Sequence, residues 1–349
     1  MTVITGYGDI SPAIAAYSVV RMLKRALPLL QLERFGQTYP LPTNSTQTAK
    51  FRRYYLKGAL GAAGPDAIGS DGFSMPLATT PLIEGVTPSG STISNVDYTV
   101  TLTQYGDFVT ITDVIQDTHT DPVLSTATDI LGEQAAQTVE TLRFNVLKAG
   151  TNVWYANAVA GRDSVITKIA QKDQRAVTTG LNRQNAKKIT SVVASNANFN
   201  TTSVEAGYMA VCHPDLETDI RDMTGFVPVA KYGPHTSPFE GEVGSVEQVR
   251  YLTSTILLPW AGAGASVASS GLRSTGGKVD VYPVLVFGRD AYGIVPLKGK
   301  SSMTPMVVNP KPAAGDPLGQ RGTVGWKLWT ATVILQDAFM GRLEVGCTA

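Results

Sequence analysis

The stretch 121–150 constrains the fold more than any other part of the chain. Asp121 can cap a helix N-terminus, and Pro122 suits the first helical position, where a missing N–H costs nothing. Leu124, Ala127, Leu131, Ala135, Val139, Leu142 and Val146 recur at three- and four-residue steps and make one apolar face. Lys148 falls in the last turn, and Gly150 is a natural stop. The pattern predicts a helix on the order of 40 Å long. An element of that length is a spine on which other parts dock rather than a catalytic loop.

The segments around it differ in kind. Residues 1–46 read as an arm. A short helical patch over 14–30 carries Val19, Val20, Leu23 and Leu27 on one side, with Arg21, Lys24 and Arg25 on the other. Pro28 disturbs this patch, and Pro40 and Pro42 stiffen an extended segment. With little apolar surface of its own, the arm is expected to rest on the body of the chain or on a neighbour. Residues 47–113 read as a ribbon. A strand runs out over 48–57, and Tyr98, Val100 and Leu102 alternate with threonines on the return. Val109 and Ile111 alternate again beyond Gly106 and Asp107. The Gly-, Ser-, Thr- and Pro-rich excursion over 58–96 between these strands has little to bury. Such excursions are usually functional, and a two-stranded ribbon is marginal without a surface to lean on.

After the spine, 151–176 carries no clear pattern, and 181–191 predicts a short helix capped by Asn182. Strands are expected over 208–212, 247–258, 279–287 and 291–295, and a helix over 214–223, with a Gly/Ser/Ala loop at 261–277. We take 181–304 as a second, α/β unit. Strands over 323–335 and 339–345, turned at Gln336 and Asp337, are expected to close the first unit beside the spine.

Composition excludes several classes. With 349 residues and 43% hydrophobic content the chain can build a core. Basic and acidic residues number 29 and 28, so no field steers it toward nucleic acid or membrane, and copies can pack without long-range repulsion. Two distant cysteines, Cys212 and Cys347, make no disulfide framework and fit a reducing compartment. No signal peptide and no membrane-spanning run are expected. The triplets at Asn44 and Asn200 match a glycosylation acceptor only by chance on this reading.

The chemistry-bearing residues are sparse. His119 lies among Asp113, Asp117 and Asp121, which could hold a hard cation, but the spacing matches no metal loop. Cys212 and His213 are sequence neighbours, so on a strand they point to opposite sides, unlike a catalytic dyad. His235 sits in a Gly/Pro/Ser loop and reads as solvated. Gly299, Lys300 and Ser301 resemble the end of a phosphate loop, yet Gly293 is one residue too far away. Gly262 and Gly264 form a lone GxG and read as turn glycines. No catalytic, cofactor-binding or metal residue is therefore expected, and no cofactor. One stretch, Lys50-Phe51-Arg52-Arg53-Tyr54-Tyr55-Leu56-Lys57, interleaves cations with aromatics, as strand-mounted nucleic-acid platforms do. Its alternative is a ribbon strand whose cations meet acidic groups on a neighbouring copy. Three classes stand at this point: a structural protein that packs against further copies of itself, a nucleic-acid-binding module using 50–57, and an enzyme of unknown class.

The order arm, ribbon, spine, inserted α/β unit and closing strands resembles the major capsid proteins of tailed bacteriophages, with the Hong Kong 97-type fold. The sequence is similar in particular to the family named for the coliphage N-four major capsid protein. Carrying stretches are LERFGQTYPLP (32–42), TAKFRRYYL (48–56), TTPLIEGVTPSG (79–90), VTLTQYGDFVTITD (100–113) and GDPLGQRGTVGWK (315–327). The resemblance implies an α+β fold in four parts. These are an N-terminal arm (1–46), an extended loop reaching over an adjacent subunit (47–113), a peripheral domain with the spine helix (114–180 and 305–349) and an axial domain (181–304). It implies a non-enzymatic protein that self-assembles into hexamers and pentamers of an icosahedral head around double-stranded DNA. Further partners on that reading are neighbouring capsomers, portal, scaffold and decoration proteins, with weak non-specific contact to packaged DNA and no membrane. The location would be the virion, after assembly in the bacterial host cytoplasm. Some relatives join Lys and Asn side chains between subunits, but nothing marks Lys57 for that chemistry.

Overall fold

The computed structural model describes residues 30–56, 77–78, 80–88, 90–118, 123–195, 201–233, 239–267, 271–297, 304–308, 310–312 and 315–349. The helical patch expected over 14–30 thus lies almost wholly outside the described residues, as do Lys57, His119, Asp121, Pro122, His235, Asn200 and 299–301. In chain order the strands and helices begin with β1 (Gln37–Thr38), β2 (Thr48–Leu56), β3 (Ile93–Thr101), β4 (Thr103–Thr112), α1 (Asp113–Thr118) and α2 (Val123–Leu147). Next come β5 (Val153–Tyr155), α3 (Gln171–Arg183), β6 (Tyr208–Cys212), α4 (Glu217–Arg221), β7 (Phe226–Pro228), β8 (Glu242–Val246) and β9 (Val249–Thr253). The chain closes with β10 (Ser274–Thr275), β11 (Lys278–Val279), β12 (Tyr282–Phe287), β13 (Tyr292–Pro296), β14 (Thr304–Val308), β15 (Arg321–Ile334) and β16 (Met340–Val345).

The expected spine is α2, whose 25 residues span about 37 Å. Leu131, Ala135 and Val139 from the apolar stripe are buried, together with Ala136 beside it. They pack with Ile115 of α1 and with Ile111, Val324, Trp326 and Leu328 on one face of a five-stranded sheet. That sheet runs β1-β13-β15-β14, with β4 also on β15. The helix is fastened to two of its strands at one point: Gln134 Nε2 donates to Asp107 Oδ2 at 2.6 Å, and Trp326 Nε1 donates to Gln134 Oε1 at 3.1 Å.

A seven-stranded mixed sheet runs β5-β16-β12-β6-β9-β8-β7. Its central strands β6 and β12 are buried along their whole length, as a strand covered on both faces must be. Their side chains divide with a period of two. Tyr208, Ala210, Cys212, Val284 and Val286 face a core shared with Val177 and Leu181 of α3 and Ile220 of α4. Met209, Val211, Leu285 and Phe287 face a second core with Leu32, Phe35 and the end of the spine, Phe144 and Leu147. The long helix therefore belongs to two cores, one near its middle and one at its C-terminal end.

Several expectations are corrected. The helix expected over 181–191 with Asn182 as its cap instead runs Gln171–Arg183, so that Asn182 lies in its last turn, with Asn185 at φ +54° beyond it. Its buried positions include Asp173, Gln174 and Thr178, so the polar inward face hid the periodicity. The closing strands do not stay together: β15 lies beside the spine, but β16 pairs with β12 and β5 in the seven-stranded sheet. Conversely β13, placed in 181–304, pairs with β15 in the first sheet. Strand pairing thus crosses the division between 181–304 and 305–349. The segment over 30–46 rests on its own chain, with β1 parallel to β13 and the Tyr39 N–H donating to Ile294 O at 2.9 Å. Among the described residues, no helix is long and apolar enough to cross a membrane.

Candidate functional site

Cys212 and His213 form no nucleophilic pair, and of the cation candidates only Asp113 has a described side chain. Cys212 is fully buried in β6, its thiol 3.5 Å from Leu252 O, and burial pushes its pKa up to about 12. His213 turns the other way, where Nδ1 accepts the Asp215 N–H at 3.2 Å and caps the short 3-10 turn Pro214–Leu216. Burial holds the His213 pKa below its ordinary value, against the pull of Asp215. Asp113 Oδ1 accepts the Val114 N–H at 2.8 Å at the start of α1. Among the described residues, no group of three or more His, Cys, Asp and Glu is placed to hold a metal ion. Gly293 serves close packing in β13: a Cβ there would come within 3.0 Å of the Phe51 ring. Gly262 is a turn residue whose N–H donates to Asp280 Oδ1 at 2.7 Å, while Gly264 sits in a bend with its N–H donating to Val279 O at 2.9 Å.

The basic and aromatic strand is β2. It pairs with β3 over nine residues, from Thr48 opposite Thr101 to Leu56 opposite Ile93. Alternation puts Lys50, Arg52 and Tyr54 on the exposed face and Ala49, Phe51 and Arg53 on the other. Arg52 does not project as a free cation. It grips Asp97 on β3 through Nε at 2.7 Å and Nη2 at 2.9 Å, and that bond draws the Asp97 carboxyl down to about 2. The ion pair lies within the ribbon, which removes one cation from any phosphate-tracking surface.

What this ribbon offers instead is apolar surface. Its base is anchored, since Ala49 and Leu102 are buried with Leu41 and Val295. Its outer half is not: Tyr54 is 62% and Ile93 71% exposed. The loop leading into β3 exposes Leu82 (79%), Ile83 (68%) and Val86 (60%) around a tight turn at Gly85, whose φ of +77° favours glycine. Beyond the ribbon, the sheet face opposite the spine carries a second patch. Met306, Gly325 and Phe108 stand in one row across β14, β15 and β4, and Val308 lies two residues along on the same face. Phe108, Met306 and Val308 are all exposed. Contiguous apolar surface of this kind marks docking surfaces rather than catalytic ones.

The frame carrying these surfaces is stiffened by charges that sequence reasoning missed. Glu344 in β16 is fully buried, and both its oxygens accept from Arg162, at 2.6 and 2.8 Å, while Arg342 Nε donates to Oε1 at 2.8 Å. Arg342 Nη1 also donates to Gly150 O at 3.0 Å and to Lys148 O, the carbonyls left unpaired where α2 ends. Arg162 lies 3.8 Å over the Trp260 ring. The sequence signal was available: Arg342 and Glu344 interrupt an otherwise apolar strand.

Comparison with known proteins matches this architecture. A family model described as phage capsid protein matches residues 96–341. The major capsid protein of Pseudomonas phage KPP21 is 22% identical over 262 residues, which cover 70% of this chain and 66% of that protein's length. Among solved structures, the capsid of Ralstonia phage GP4 aligns with a TM-score of 0.64 at 13% identity, covering 100% of this chain and 99% of that one. The cyanophage Pam1 capsid asymmetric unit aligns at 0.57 and 14% identity, covering 97% and 96%. The matched span includes most of the ribbon's return strand, the spine, the strands from β4 to β15 and the start of β16, while β1, β2 and the loop 80–88 precede it. The chain belongs to the phage capsid protein family.

Proposed function

We propose that this chain is the major capsid protein of a tailed-phage head, with the Hong Kong 97-type fold and in the family named for the coliphage N-four protein. On this reading copies assemble into hexamers and pentamers of an icosahedral shell that encloses double-stranded DNA. The single observation that carries it is the exposed apolar run Leu82, Ile83 and Val86 on the loop of the ribbon, in a chain of the phage capsid family. Such a loop gains cover when it reaches a second copy, and repeated contacts of modest strength close a shell. The arm is then 1–46 and the extended loop 47–113. The peripheral unit is built on α2 with β15, and the axial unit on the seven-stranded sheet, which takes β16 and β5 beyond the bounds 181–304. Portal, scaffold and decoration proteins, weak contact with packaged DNA and assembly in the host cytoplasm belong to the same proposal.

The family is one of structural proteins, so the chain is not an enzyme. The nucleic-acid-binding reading of 50–57 finds no support in the family, and Arg52 is spent on Asp97. Negative-stain microscopy of the purified full-length protein tests the proposal. Rings of five or six subunits or closed shells are the expected outcome. A uniform field of single subunits at high concentration would overturn it.

A further inference from the structure

One side chain of the spine helix holds two backbone N–H groups of the leading segment. Glu140 is fully buried in α2, and its Oε1 accepts the backbone N–H groups of Gln31 at 3.1 Å and Leu32 at 2.8 Å. These are the residues that open the 3-10 turn Leu32–Arg34, which covers the end of the spine. Leu32 is buried there, and its carbonyl accepts the Tyr292 hydroxyl of β13. The other carboxylate oxygen, Oε2, is buried with no hydrogen bond among the described residues, and Arg143 Nη1 stands 3.9 Å from it. Arg143 is itself engaged with Glu33 at 3.0 Å.

An ionised carboxylate with one oxygen buried, without a hydrogen bond and only loosely paired with a guanidinium at 3.9 Å, is costly, and protonation of that oxygen lowers the cost while leaving Oε1 free to accept both N–H groups. We propose that docking of the segment 30–35 on the spine helix is proton-linked through Glu140, so that the arm is held more tightly as the solution becomes more acidic and released more readily as it becomes alkaline. The groups facing Glu140 set the balance. Arg143, on its own helix, favours the charged form. Glu33, on the docked turn, opposes it. Tyr292, on the sheet, has a hydroxyl that burial keeps neutral. Arg34 takes no part, because it turns away to Glu240.

The environment agrees in direction. Burial outweighs the two backbone bonds and Arg143, raising the Glu140 pKa to about 7. Once undocked, the carboxyl is solvated and ionises in the ordinary carboxylate range. Docking therefore takes up a proton between that range and about pH 7, and the advantage is lost as pH rises through about 7. The device needs no assembly, so it is separable from the capsid reading.

Hydrogen exchange on the full-length protein tests it, with protection of the 30–35 amides corrected for intrinsic exchange rates. Protection should fall about tenfold between pH 6 and pH 8, the fold-change implied by that proton uptake. Glu140→Gln, the uncharged counterpart of the protonated acid, should abolish the dependence. As a second arm, Glu33→Gln removes the opposing charge and should shift the midpoint to lower pH. Flat protection in the wild type, or the same pH dependence in Glu140→Gln, would overturn the inference.

Discussion

Arg342 answers three needs with one guanidinium. It pairs with the buried Glu344, it covers the last carbonyls of the long helix, and it leans toward Trp260 at 5.7 Å. Removing one partner of a buried pair is far more damaging than replacing both, because a charge is left dry. Arg342→Ala should cost roughly 3 kcal/mol in chemical denaturation. A loss near zero would mean that Arg162 alone satisfies Glu344. The cysteines make the opposite case, of groups with nothing to do. Burial raises the Cys347 thiol to about 11 and the Cys212 thiol to about 12. Since the thiolate is the nucleophile, neither should react with iodoacetamide at pH 8 in the folded protein, and both should react in denaturant. Mass spectrometry of the alkylated chain reads the outcome.

The long helix and its sheet form the element that the rest depends on. Leu131→Ala would open a cavity among Ile115, Trp326 and Leu328 and should cost about 3 kcal/mol, with unfolding monitored by circular dichroism. Retention of full stability would show that this core is not the anchoring one. This element was legible in the sequence because its inward positions on the β15 side are aliphatic at steps of three and four. So were the ribbon, β6 and the long β15, where alternation or a continuous apolar run does the same work. The parts that stayed hidden had polar residues facing inward. Helix α3 buries Asp173, Gln174 and Thr178, and the Glu140 clasp reads as an ordinary exposed turn of helix until the segment 31–32 is laid over it. The allocation of β13 and β16 was illegible for another reason. Both are short apolar strands, and nothing local says which of two sheets a strand will join.

At the scale of the molecule, exposed apolar side chains among the described residues gather on the loop 80–88, the outer ribbon and the row Phe108–Met306, with single ones such as Leu258 and Leu318 elsewhere. Surface charge is close to balanced, so no long-range repulsion keeps copies apart. A substitution on the loop should therefore separate folding from association. Leu82 and Ile83 touch none of the buried clusters, so Leu82→Asp with Ile83→Asp should leave thermal unfolding within about 0.5 kcal/mol of the wild type. Sedimentation velocity of the wild-type protein and this double variant, side by side, is the most direct measurement. The wild type should run as large assemblies and the variant as single folded subunits. A variant that sediments with the wild type's particles would contradict the claim that this apolar loop joins one copy to the next.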